Sequence, residues 1–164
     1  MNRSPLITII LQHLKKELAN CKLAANNAHL AAIDDQSVAE TQYDTLAIES
    51  AYLAEGQSRR IMDFELAINQ LEQLKTQLTA KDTEVNKTIR VGSIVQLSDD
   101  YQNNNWFFIA PAAAGYKFTI KDKNFTVITP KSPMGIALMN KAIDDEIEVI
   151  IGNNKLVDDI TAIY

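Results

Sequence analysis

The chain has 164 residues and a mass of 18.3 kDa, enough for one ordinary domain or two small units. With 16 basic and 21 acidic residues it carries a net charge of −5; its 46% apolar content excludes a disordered chain, and its acidity argues against a stand-alone nucleic-acid binder. A single cysteine, Cys21, forbids an internal disulfide, and no apolar run nears the roughly 20 residues of a membrane span, so a cytoplasmic, non-membrane protein is expected.

The chain opens on a heptad. Ile7, Leu11, Leu14, Leu18, Cys21, Ala25, Ala28 and Ala32 follow alternating steps of four and three, the seam of a coiled coil. A helix is predicted from about Pro5 to Ile33, roughly 40 Å long. Its seam tapers from large side chains to alanine, so the far end should be narrow. A second helix is predicted from about Ser37 to Thr79, with Leu46, Leu53, Phe64, Ala67, Leu71, Leu74 and Leu78 on its seam. Ser50, Gln57 and Arg60 fall on the same line and weaken its middle. Large residues at both ends of this segment and small ones at its turn fit an antiparallel helical hairpin, paired within one chain and therefore monomeric; two helices of a compact bundle are the alternative.

Glycine and proline concentrate after residue 80, and the pattern changes to strands. Val91–Leu97, Trp106–Ala110, Tyr116–Ile120, Phe125–Thr129, Glu146–Ile151 and Leu156–Tyr164 are short and rich in β-branched and aromatic residues. Asp122-Lys123-Asn124 and Gly152-Asn153-Asn154 are turn signals. One helix is predicted between Met134 and Lys141. The reading is α+β: a coiled-coil hairpin over 1–80, a polar boundary at Lys81–Lys87, and a small antiparallel sheet domain with one helix over 81–164.

From Leu23 through Ser58 there is no lysine or arginine, while Asp34, Asp35, Glu40, Asp44, Glu49 and Glu55 fall in that stretch. Such a tip repels itself unless it meets a cation or a basic partner. Asp34, Asp35 and Glu40 are candidate ligands for a hard ion such as magnesium, which prefers oxygen. Glu40 has a competing role, because Ser37-Val38-Ala39-Glu40 has the form of a capping box at a helix start. His13, His29 and Cys21 have no metal-type spacing and read as surface or seam residues. Trp106-Phe107-Phe108 offers either core packing or a stacking face for a single strand. No phosphate-binding glycine loop and no Ser-His-Asp set is present.

Three further segments carry a resemblance. Ile128–Met139, with Lys131-Ser132-Pro133-Met134-Gly135 at its centre, resembles the S-P-L-G-x-A-L stretch of the Gre-type transcript cleavage factors; Met134 stands where leucine is usual. Lys141–Ile147 resembles their K-x-x-G-D-x-V stretch, with Asp144 where glycine is usual, and Val91–Val95 resembles their V-x-x-G-S-x-V opening. The resemblance implies an FKBP-like C-terminal domain behind an antiparallel coiled coil. It also implies binding to bacterial RNA polymerase, with Lys131, Ser132, Pro133, Met134 and Gly135 in the docking loop and the acidic tip in the secondary channel. Nucleic acid would be met only inside that complex.

In the family, tip acids help to hold a second magnesium ion for RNA cleavage by the polymerase, so the factor donates ligands and is not itself an enzyme. No tightly bound cofactor is expected, only magnesium shared with the polymerase. The tip departs from the usual G-D-L-S-E-N-A-E-Y: three residues before Glu40 stands Ser37, and Asp35 and Asp34 lie five and six before it. Channel occupancy without strong cleavage is therefore the expected activity. The alternatives are a cleavage stimulator acting through Asp34, Asp35 and Glu40, and an FKBP-like prolyl isomerase or chaperone.

Overall fold

The computed structural model describes residues 1–32, 45–80, 88–152 and 154–164. It is an α+β protein with the element order α1 (Ser4–Ala32), α2 (Thr45–Ala80), β1 (Ile94–Leu97), β2 (Asn105–Ile109), β3 (Lys117–Ile120), β4 (Lys123–Ile128), α3 (Pro133–Leu138), β5 (Glu146–Ile151) and β6 (Asn154–Ile163). The expected hairpin connection, the start of the second helix at Ser37 and the boundary segment Lys81–Lys87 lie outside the described residues. The chain divides into two compact units, Leu11–Asn69 and Met1–Ile10 together with Gln70–Tyr164.

The α1 seam is buried as its spacing predicts. Ile7, Leu11, Leu14 and Cys21 are buried, and Leu18, Ala25 and Ala28 are half-buried. Leu6 and Ile10 form a second buried stripe beside it near the N-terminus. On α2 the seam differs from the expected one. Arg60 is exposed, and the half-buried or buried line is Gln57, Ile61, Phe64, Ile68, Leu71, Lys75 and Leu78, again in steps of four and three. Two apolar lines one residue apart run along this helix, and burial selects the one that carries Ile61 and Ile68. Leu74, on the other line, is buried as well, so the apolar stripe broadens toward the helix end.

Polar pairs beside the seams give the direction of the helices. Within the unit Leu11–Asn69, Lys22 Nζ lies 2.8 Å from Glu65 Oε1. Within the other unit, Lys75 Nζ donates to Thr8 Oγ1 at 3.2 Å. Position 8 faces 75 and position 22 faces 65, so α1 and α2 run antiparallel. Lys22 and Glu65 each follow a seam residue, Cys21 and Phe64, where helix–helix ion pairs form.

The six strands form one sheet in the order β3-β4-β2-β1-β6-β5. The expectation of a wholly antiparallel sheet needs one correction: β2 and β4 pair in parallel, Asn105 with Asn124 through Ile109 with Ile128. The other pairings are antiparallel. β3 lies outside β4 at the sheet edge, so the chain leaves β2, makes the β3–β4 hairpin, and returns in the same direction as β2. The hairpin turns on Lys121 and Asp122, with φ of 48° and 62°. Both are left-handed, as a two-residue type I′ turn requires, and the turn sits a residue earlier than the Asp122-Lys123-Asn124 signal suggested.

Trp106 and Phe108 are buried, 4% and 0% exposed, which supports core packing for them. Phe107 points to the opposite face and packs on the edge of a cluster containing Val95, Leu97, Ile109, Leu138, Ile147 and Ile160. Each such fully buried aliphatic side chain contributes about 1.5–3 kcal/mol. α3 is shorter than expected. It ends where Met139 leaves the helical region and Asn140 adopts φ 65°, while the Met139 N–H still donates to Gly135 O at 2.9 Å.

Candidate functional site

Two of the family-like segments, Ile128–Met139 and Lys141–Ile147, adjoin in sequence, and the third, Val91–Val95, packs with them in one core cluster around the start of β1 and α3. Ile89 N–H donates to Lys141 O at 2.8 Å, and Asn140 N–H donates back to Ile89 O at 2.9 Å. Gly92 N–H donates to Ile109 O at 2.7 Å. Gly92 has φ 92°, and a Cβ there would lie 3.1 Å from Leu78 Cδ2 and 3.4 Å from Leu74 Cδ1. The next residue, Ser93, is fully buried, and its hydroxyl accepts from Arg90 N–H at 3.1 Å. The Gly-Ser pair thus closes the turn into β1 against the end of α2. Asp144 occupies φ 68°, the left-handed conformation that favours glycine, at the position where the resembling pattern has glycine.

The loop into α3 is a tight knot. Ser132 is the N-cap: its hydroxyl accepts from Gly135 N–H at 3.1 Å and donates to Thr129 O at 2.8 Å. Pro133 occupies the first helical turn, where its missing N–H costs nothing. Gly135 is buried against the Thr129 carbonyl, and a Cβ there would overlap it.

The five predicted docking residues therefore divide by role. Lys131 and Pro133 are exposed and free to meet a partner; Ser132 and Gly135 are committed to the knot. Met134 is half-buried and packs on the sheet core. Ile136, one residue beyond, is 67% exposed and adds an apolar contact that the sequence reading did not single out. Its signal was available, since an isoleucine directly after the buried glycine of a short helix points away from the core. The presented surface combines a cation, a proline ring and an aliphatic chain on a rigid turn. That combination fits a protein surface with an acidic group beside an apolar patch.

Asp34, Asp35 and Glu40 lie outside the described residues. Among the described residues no three His, Cys, Asp or Glu side chains gather to hold a metal. His29 is exposed, and Cys21 is 7% exposed in the α1 seam, as their surface and seam readings require. Glu55, in the acidic stretch, pairs with Arg59 one turn on at 3.3 Å. No described helix is long and apolar enough to cross a membrane.

No protein-family model matches the chain, and no curated protein matches it. Among solved structures it is similar to one described as the transcription factor Gfh1, with 18% identity, TM-score 0.39, and coverage of 98% of this chain and 92% of that one. Gfh1 of Thermus aquaticus is 20% identical with a TM-score of 0.36, covering 93% of this chain and 92% of that one. GreA factor homolog 1 (Gfh1) of Thermus thermophilus is 18% identical with a TM-score of 0.35, covering 94% of each.

Proposed function

We propose that this chain is a Gre-like regulator of transcription elongation that binds bacterial RNA polymerase. The observation that carries this reading is the convergence of the three family-like segments. The glycine against Leu78, the serine N-cap of α3 and the left-handed Asp144 each occupy a position where the resembling motif has a structural reason for its residue. In this reading the domain over 81–164 docks on the polymerase through Lys131, Pro133 and Ile136, held by the Ser132–Gly135 knot. The hairpin over 1–80 enters the secondary channel with Asp34, Asp35 and Glu40 at its tip.

The protein acts as a monomeric cytoplasmic accessory factor. It completes no active site of its own, and magnesium, if used, is shared with the polymerase. Because the tip carboxylates are off the family spacing, channel occupancy changes elongation without strong cleavage of backtracked RNA. Binding to purified core polymerase tests the reading: a saturable complex with wild-type protein, weakened by Lys131→Glu, is expected. Absence of any complex at micromolar concentrations would remove it.

A further inference from the structure

One face of the sheet carries a cleft that the polymerase reading does not use. Its volume is about 550 Å³, within the roughly 300–1,000 Å³ typical of small-ligand sites. It lies over β2, β4 and β3, and the strand register lays its side chains out in two rows. Phe107, Thr126 and Lys117 form one row, and Asn105, Asn124 and Thr119 form the next.

The second row is tied together. Thr119 Oγ1 donates to Asn124 Oδ1 at 2.9 Å, Asn124 Nδ2 reaches Asn105 Oδ1 at 3.4 Å, and Asn105 Nδ2 donates to Asp100 Oδ1 at 2.9 Å. This network holds the amides in fixed orientation, and the second carboxylate oxygen of Asp100 remains as an acceptor. The first row is not tied: exposed Lys117 has no hydrogen-bond or ion-pair partner among the described residues. Phe107 is anchored on the core yet half-exposed, so it is a rigid aromatic floor.

We propose that this cleft binds a single nucleotide unit, its base over Phe107 and its phosphate at Lys117. Base stacking on a sheet-borne aromatic, with amides at the base edge and a cation for the phosphate, is how sheet faces take single-stranded nucleotides. The opposite charges of Asp100 and Lys117 set the direction. The phosphate is repelled from the Asp100 end, and a base bearing an exocyclic amine turns that donor toward Asp100 and Asn105. Adenine carries such an amine, which the second Asp100 oxygen can accept, and serves as the probe base.

From β2 to β3 is about 10 Å, two strand spacings, a span that base, ribose and phosphate bridge with the flexible Lys117 stem. The acidic chain as a whole offers no track for a long phosphate backbone. Of the two later lysines of the hairpin, Lys121 sits on its exposed turn, and Lys123 is committed on the other face of the sheet, 4.2 Å from the centre of the Trp106 ring. The site therefore holds one unit, supplied either as a free nucleotide or as one residue of a strand.

The test is titration of the whole protein, observed through its backbone amide resonances, with AMP, adenosine, inorganic phosphate and a short oligoadenylate. AMP should shift Asn105, Asn124 and Thr126 saturably, with a dissociation constant of about 1 mM or tighter. Adenosine and phosphate alone should each bind at least about fivefold more weakly. Lys117→Ala, an exposed change, should bring AMP down to the level of adenosine. Phe107→Leu, which keeps its packing and removes the flat ring, should weaken AMP similarly while the spectrum stays folded. Oligoadenylate binding about tenfold tighter than AMP identifies a strand as the source, and equal binding identifies the free nucleotide; both support the site. No saturable shift up to about 10 mM AMP, identical shifts with phosphate alone, or an unchanged Lys117→Ala would overturn it.

Discussion

Gly135 and Thr129 touch: the glycine Cα faces the threonine carbonyl so closely that a methyl group in its place would overlap the oxygen and lie 2.8 Å from the carbonyl carbon. Glycine to alanine inside an exposed helix normally gains about 0.5–1 kcal/mol. Here the sign reverses, because the atom in the way is backbone and the loop into α3 must move. Gly135→Ala should lose roughly 2–3 kcal/mol, read as a lower denaturant midpoint. An unchanged or raised midpoint would mean that the knot is loose.

Lys131 and Ser132 are neighbours with separable roles. Ser132→Ala removes the N-cap and should cost about 1 kcal/mol of stability. Lys131→Ala touches nothing buried and should stay within about 0.5 kcal/mol of wild type. The polymerase affinity should respond in the opposite order, falling with Lys131→Ala and holding with Ser132→Ala at a temperature where both remain folded. Joint replacement of the two would mix docking with folding.

Asp144→Gly should stabilise the protein. Relief of a left-handed non-glycine residue gains up to roughly 1–2 kcal/mol, less for aspartate than for most residues. The added freedom of the unfolded chain takes back about 0.4–1 kcal/mol. The net gain should be about 0.5 kcal/mol, visible as a rise of a few degrees or less in thermal midpoint. A loss would show that the Asp144 side chain makes a contact worth more than its strain.

The helices should depend on their seam and hardly on their ion pairs. Leu71 is fully buried, and Leu71→Ala should cost about 2–5 kcal/mol. Glu65→Ala breaks a pair whose partners are each about half exposed, 53% and 48%, and should cost no more than about 0.5 kcal/mol, less in high salt. Comparable losses from the two would overturn the seam as the main source of stability.

The tip decides the sign of the proposed activity. In a stalled, backtracked elongation complex, wild-type protein should bind and alter elongation with little RNA cleavage. The triple replacement of Asp34, Asp35 and Glu40 by alanine should leave that low cleavage level unchanged. Brisk cleavage by wild type, lost in the triple variant, would instead establish the ligand-donating mechanism.

Much of the fold is legible in the sequence where a period repeats often enough to average out single residues. Ile7 through Ala28 carries a heptad for three turns of the repeat, and the α1 burial follows it. On α2 two apolar lines interleave, and only packing shows that Ile61 and not Arg60 belongs to the seam. The sheet is harder. Strand periodicity locates Trp106–Phe108 and Phe125–Val127 but says nothing of pairing. The short connection from β2 to β3 reads as a simple meander, whereas β3 swings past to the edge and β4 returns parallel. Asn105 and Asn124 become neighbours only through that pairing, which is why their cleft has no signature in the linear chain. Ser132 could have been read as an N-cap, since serine followed by proline at a helix start is a known combination.

The place of β6 in the sheet sets the timetable of assembly. β1 has β2 on one side and β6, more than fifty residues later, on the other. Until β6 emerges and slots in beside it, Ile94, Val95 and Leu97, which are essentially unexposed in the finished protein, border an unpaired strand edge. Closure of the sheet is thus its latest and most non-local step, the kind that slows folding. During synthesis the half-made domain displays an apolar, hydrogen-bond-hungry rim that other nascent chains can pair with. The finished sheet hides its most sticky strand in its middle, and the growing chain must leave one edge of that same strand unpaired for most of the domain's translation.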